Sequence, residues 1–384
     1  MQPSPYTPGV IAPEVPGRTR QLADFEERLS YLVDLRRLDG RIHVDHAPRG
    51  FGKTSLLRNY QRRARNRGVL AVWVTAGEGH LIGQIAAELA RETAAWSETA
   101  RRKFGATLDS LTVRVGVPAV AGVEATVRPG AHAPAVPSMS REFESVIRVA
   151  AAGDKHTAVV LLIDEIQAAD PDGLRTLAYA WQHLQSEGAD VPAAVFAAGL
   201  PNSADVISGA ATASERFAYR PLPALQPQDE ELALIVPARL QGVEWRPEAL
   251  ALALDTARGY PYLVQLIGDA AWTAAGRPDP GAWIELPHVL AGREAMQDDM
   301  EALFRARWSN ATDMERDFMT AMAQLGDGSV RRIDIAERLG VTSASLSVPR
   351  DRLLNRGFIQ ASRRGALEFT IPGFADYIRI HDDN

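Results

Sequence analysis

Apolar residues recur at helical spacing over Gln21–Arg37, where Leu22, Phe25, Leu29, Leu32, Val33 and Leu35 mark one face. The pattern then shortens. Arg41–His46 reads as a strand, Gly50–Arg65 as a turn and helix, Val69–Thr75 as a second strand, and Leu81–Phe104 as one long helix. Leu111–Val127 alternates, is rich in Val and has Gly and Pro at its middle, which predicts a β-hairpin, followed by a Pro/Ala/Gly-rich loop over Arg128–Pro137. Arg141–Ala152 reads as helix, Ala158–Ile163 as a continuous apolar strand, Leu174–Gln185 as helix, Ala193–Ala198 as strand and Arg216–Leu222 as a fifth strand. Strands alternating with helices predict an α/β fold, a parallel sheet covered on both faces.

After Pro223 the pattern is helical only: Asp229–Leu240, Pro247–Ala257, Pro261–Ala275 and His288–Trp308. The remainder offers helices over Asp313–Leu325, Ile333–Leu339 and Ser343–Asn355. Two strands follow, Gly357–Gln360 and Leu367–Ile371, around the turn Arg363-Arg364-Gly365. Three helices and a hairpin are the order of a winged helix-turn-helix. At the other end, five prolines within the first sixteen residues predict an extended arm. The expected divisions are an arm and helix over 1–40, a sheet-containing core over 41–222, a helical lid over 223–308 and a winged helix over 309–384.

Composition narrows the chemistry. The 384 residues are 46% hydrophobic and 23% charged, as expected of a globular chain with a sizeable core. Without cysteine there is no disulfide, no thiolate metal site and no thiol catalysis, which fits a cytoplasmic protein. The N-terminus lacks a basic segment followed by an apolar one, so no secretory signal is expected. No apolar run approaches the ~20 residues that span a bilayer, so no membrane partner is expected. A net charge of −6 does not draw the whole molecule to nucleic acid. Lysine occurs only at Lys53, Lys103 and Lys155, and one of these three falls in the most informative segment.

That segment is Ala47-Pro48-Arg49-Gly50-Phe51-Gly52-Lys53-Thr54-Ser55, running from a strand through a turn into a helix. Gly50 and Gly52 let the backbone curl with its N–H groups turned inward, forming an anion nest at a helix N-terminus. Lys53 reaches β- and γ-phosphates, and the Thr54 hydroxyl ligates Mg²⁺. Ala47 stands where the phosphate-loop pattern has its first glycine, which requires a negative φ there. The second element is Val159–Glu165, an apolar strand ending in two acids. Asp164 would emerge at the metal, and Glu165 would polarise an attacking water. The cofactors expected from the pair are ATP and Mg²⁺.

These two elements resemble the Walker A and Walker B motifs of the AAA+ and STAND branch of P-loop ATPases, and in particular bacterial ATPases that look like origin-recognition proteins. Further segments fit that branch. Pro16-Gly17-Arg18 resembles the entry motif against adenine, which implicates Arg18. Ala198–Asn202 falls where the family places a polar sensor, and Asn202 is the nearest polar side chain. Ser214–Phe217 falls where relatives carry an arginine acting in trans, which implicates Arg216 and a homo-oligomer. Gly259-Tyr260-Pro261-Tyr262 resembles a lid motif, which implicates Tyr260 and Pro261 in nucleotide binding. The resemblance implies a P-loop NTPase core with strand order 5-1-4-3-2, then the helical lid and winged helix.

The C-terminal segment leaves two readings open. In one it binds double-stranded DNA, with Arg350, Arg352 and Arg356 near the third helix and Arg363 and Arg364 on the wing. In the other it binds an unidentified protein partner or clamps the core. Residues 311–384 hold ten arginines against eleven carboxylates, a poor balance for phosphate neutralisation, and Pro349 falls inside the third helix. For the whole chain, one reading is an ATPase that drives an assembly. The other is a STAND-like switch in which turnover is only a slow timer.

Overall fold

The computed structural model describes residues 1–115, 138–153, 155–211, 214–363 and 365–381. Helix α1 (Thr19–Val33) buries Phe25, Leu29 and Leu32 and precedes strand β1 (Ile42–His46), helix α2 (Lys53–Asn66) and strand β2 (Leu70–Thr75). Helices α3 (Leu81–Glu92), α4 (Glu98–Val115) and α5 (Met139–Ala151) lead to β3 (Val159–Asp164). Then come α6 (Pro171–Glu187), β4 (Ala193–Gly199), α7 (Ser203–Ala210) and β5 (Phe217–Pro221). The five strands form one parallel sheet in order β2-β3-β4-β1-β5, the order expected. Every residue of β3 and β4 is buried, because helices cover both faces of the sheet.

Two expectations fail in this half. The long helix over Leu81–Phe104 is two helices. Thr93, buried, turns its hydroxyl onto Leu89 O at 2.7 Å and ends α3. The hairpin over Leu111–Val127 is also wrong where it can be seen, since α4 runs on to Val115. Phe104, Leu108 and Leu111 keep helical spacing and are all buried, so tertiary packing overrides the local alternation. The rest of that segment, and the loop after it, lie outside the described residues.

Helices α8 (Pro227–Leu240), α9 (Pro247–Ala257), α10 (Pro261–Ala274), α11 (Leu286–Ala295) and α12 (Gln297–Ser309) follow. Two two-residue strands, β6 (Glu244–Trp245) and β7 (Trp283–Ile284), pair among them. The single helix expected over His288–Trp308 breaks at Met296, which is buried at the joint. The C-terminal unit comprises α13 (Asp313–Leu325), β8 (Val330–Arg331), α14 (Arg332–Leu339), α15 (Ser347–Asn355), β9 (Ile359–Arg363), β10 (Ala366–Phe369) and α16 (Phe374–His381). Its antiparallel sheet runs β8-β10-β9. Helix α15 starts later than expected, which puts Pro349 in the first turn, where its missing N–H is no loss.

The arm over residues 1–18 has neither helix nor strand, as its prolines dictate. It is nonetheless anchored. Tyr6 is buried between Trp245 and Trp272, accepting the Trp245 indole N–H at 3.0 Å. Further along, Ala12 N–H donates to Ser55 Oγ at 3.0 Å, so the arm ties the helices after Pro223 to α2.

Candidate functional site

The chain leaves β1 at His46, turns through the glycine loop and enters α2 at Lys53. Gly50 and Gly52 have φ of 84° and 77°, in the region that favours glycine. At Gly50 a side chain is excluded twice over, since a Cβ would also stand 2.2 Å from the Tyr260 hydroxyl. Ala47 is not among the positive-φ residues, so alanine serves there without strain. Lys53 is buried and folds back on its own loop, its Nζ donating to Ala47 O and Pro48 O at 2.9 Å each. Burial pushes its ammonium down to about 8; nearby Glu165 and Asp164 act against that, and Arg49 and Arg307 act with it. A cation whose charged form is penalised by burial in this way gains from an anion placed against it.

β1 and β3 are not neighbours: β4 lies between them. Their C-terminal ends open on the same edge of the sheet, where side chains reach across the end of β4. There Thr54 Oγ1 donates to Asp164 Oδ2 at 2.8 Å. Asp164 is buried, and burial raises its carboxyl above the usual range, with the Thr54 bond opposing. A hydroxyl and a carboxylate at this distance suit a hard divalent cation that keeps most of its water, as Mg²⁺ does. Among the described residues no cluster of three or more His, Asp or Glu could hold a metal.

Glu165 is left-handed, with φ of 52° and ψ of 40°. A non-glycine residue holds that conformation only where its surroundings enforce it. It lines a cavity of about 290 Å³ together with Arg18, Arg49, Gly50, Phe51, Gly52, Lys53, Thr54, Ser55 and Pro261. The arm closes one side through Thr7, Val10 and Ala12, and α10 another through Tyr262 and Gln265. Arg18, buried, donates to Phe51 O at 3.2 Å. Tyr260 donates from its hydroxyl to Arg49 O at 2.8 Å and packs edge-on against Phe51, while the Tyr262 N–H donates to Gly50 O at 3.1 Å. Pro48 touches the C-terminal unit, since a Cβ on Gly357 would stand 2.8 Å from it.

Of the expected residues, Ala47, Pro48, Tyr260 and Asp164 adjoin this cavity without lining it, and Asn202 and Arg216 are not brought to it. Asn202 caps α7 by position only, making no capping bond, and its Oδ1 is buried without a partner. Arg216 bonds Gln185 and is absent from the cavity lining. In the C-terminal unit Arg356, half-buried, pairs with Glu315 at 2.7 Å. Arg350 pairs with Asp351 and lines a recess with Arg331 and Arg332. Arg364 lies outside the described residues.

Arg307 and Gln167 escaped the sequence reading. Arg307 on α12 is buried, donates to Gly357 O at 3.0 Å, bonds Tyr260, and lies near enough to Lys53 to depress its ionisation. Nothing in the spacing of an exposed-looking helix signals that role. Gln167 follows the two acids by a few residues, and only the tertiary contact reveals it.

Residues 14–196 match the family described as AAA ATPase domain, and residues 301–378 match a family described as Domain of unknown function (DUF8462). No curated protein matches the chain. Among solved structures, the Walker-type ATPase paby2304 of Pyrococcus abyssi is similar over 99% of both chains, at 14% identity and a TM-score of 0.60. The Aeropyrum pernix ORC2 protein, solved as ADPNP–ADP complexes, is 14% identical with a TM-score of 0.49, covering 99% of this chain and 98% of its own. The Thermotoga maritima RuvB Holliday junction branch migration motor is 16% identical with a TM-score of 0.43, over 92% and 94%. At such identities the likeness concerns the fold, and it rests on the first of these.

Proposed function

We propose that this chain, which carries an AAA ATPase domain over residues 14–196 within a P-loop AAA+ fold, is a Mg²⁺-dependent ATP switch with slow hydrolysis. The observation that carries the reading is the 2.8 Å bond between Thr54 and Asp164 beside a buried Lys53 and a cavity-facing Glu165. In this reading the N–H groups from Gly50 to Thr54 and the Lys53 ammonium hold the phosphates. Thr54 and Asp164 hold Mg²⁺, which when bound neutralises charge developing on the transferred phosphoryl group. Glu165 orients a water for in-line attack and accepts its proton. Arg18, Pro261 and Tyr262 border the base end of the cavity, and Tyr260 holds the loop by its backbone.

The proposed divisions are 1–40, 41–222, 223–308 and 309–384, with the last a winged helix. Its contact on Pro48 favours a switch in which the C-terminal unit follows the state of the phosphate loop. A protein partner in the cytoplasm then reads that state, and the near-balanced charge of residues 311–384 suits it. The second reading, double-stranded DNA bound through Arg350, Arg352, Arg363 and Arg364, is favoured by the recess that Arg350 shares with Arg331 and Arg332. Arg216 is proposed to act on the site of a neighbouring copy.

Two variants test the site. Glu165→Gln should bind ATP within about threefold of wild type, under ~1 kcal/mol, and fail to hydrolyse it. Asp164→Ala should lose Mg²⁺-dependent binding. Equal loss of ATP affinity in both removes the division of roles.

A further inference from the structure

Gln167 stands two residues beyond Glu165, in the short turn Ile166–Ala168 that follows β3. Its amide spans two elements. Nε2 donates to Glu165 Oε2, and Oε1 accepts the Leu200 N–H at 2.9 Å. Leu200 directly follows the last residue of β4. Gly199 makes the bridge possible, because a Cβ there would stand 2.8 Å from Gln167 Oε1 and displace the amide.

Glu165 needs a support of this kind. Its backbone is left-handed, and its long side chain has three torsions to restrain. Glu165 lines the cavity and Gln167 does not, so the amide grips the carboxylate from behind. A bond from an amide to an ionised acceptor is among the stronger hydrogen bonds. It also leaves Oε1 of Glu165 untouched by Gln167.

We propose that Gln167 is the positioning residue of this site, aiming the Glu165 carboxylate at the attacking water by tying it to the backbone at the end of β4. The inference rests on the role given to Glu165 above. A misplacement of ~1 Å can lower turnover by up to ~100-fold, so loss of this single bond should register in kcat.

The experiment uses the full chain with ATP and Mg²⁺, measuring kcat, KM and ATP affinity. Gln167→Ala should lower kcat by about tenfold or more, while KM and affinity stay within about threefold. Gln167→Glu keeps an acceptor for the Leu200 N–H but turns an acceptor toward Glu165, so kcat should fall at least as far. If the bridge served only to brace β4, Gln167→Glu would turn over like wild type, and that result overturns the proposal. Wild-type kcat in Gln167→Ala, or an equal fall in kcat and affinity, overturns it too; in either case an inactive Glu165→Gln leaves the reading of Glu165 standing. Wild-type turnover in Glu165→Gln removes that reading and this inference together. A wild-type chain that binds ATP without hydrolysing it removes both and keeps only the binding site.

Discussion

Raising the pH from about 7.5 to about 9 should weaken ATP binding by about eightfold, through Lys53 alone. Burial holds the Lys53 ammonium at about 8 in the free protein, and only the charged form attracts phosphates. Phosphates placed against it restore the charged form, so its ionisation in the complex shifts upward. Binding above pH ~8 therefore takes up a proton, and affinity falls by up to tenfold per pH unit, ~1.4 kcal/mol each, until the complex itself titrates. Below that point affinity levels off. His46, the nearby imidazole, is held below its ordinary value by burial and the Lys53 charge, so it is neutral throughout this window. Phosphate monoesters lose their last proton near pH ~6, also below it. The assay is a titration with a fluorescent ATP analogue at several pH values, backed by calorimetry in buffers of different ionisation enthalpy to count the protons. Lys53→Arg should flatten the profile, because guanidinium does not titrate in this range. A wild-type profile that is flat from about pH 7.5 to 9, with no proton uptake, would refute the reasoning.

If Arg216 acts on a neighbouring copy, wild-type specific activity should rise with protein concentration, and Arg216→Ala should lose that rise while binding ATP normally; activity independent of concentration rules the role out. If the C-terminal unit binds DNA, anisotropy at low salt with ATP should detect wild-type binding tighter than ~10⁻⁴ M, and each phosphate contact should add about one unit to the salt slope. Replacing Arg350, Arg352, Arg363 and Arg364 by alanine should then abolish binding at physiological salt and leave ATP binding intact. Wild-type binding weaker than that limit leaves the protein-partner reading.

Local chemistry decided a large part of this molecule. The backbone of the loop from Ala47 to Thr54 is legible because its glycines answer a local demand, the positive φ at Gly50 and Gly52. The apolar run from Val159 to Ile163 is legible because a strand covered on both faces is dominated by apolar residues. The alternation of such strands with amphipathic helices was enough to anticipate the five-stranded parallel sheet. Where two local patterns competed, the sequence alone misled: Leu111 and its neighbours alternate like a strand, yet Phe104, Leu108 and Leu111 meet the core as a helix. Tertiary structure alone decided which distant residues meet. Gln167 reaches Leu200 because β3 and β4 are paired, Arg307 reaches Gly357 because α12 packs against the C-terminal unit, and Tyr260 reaches Arg49 because the helices after Pro223 fold back over the loop. Such contacts leave no periodicity or spacing along the chain, since what selects them is the shape of the assembled core rather than any property of adjacent residues.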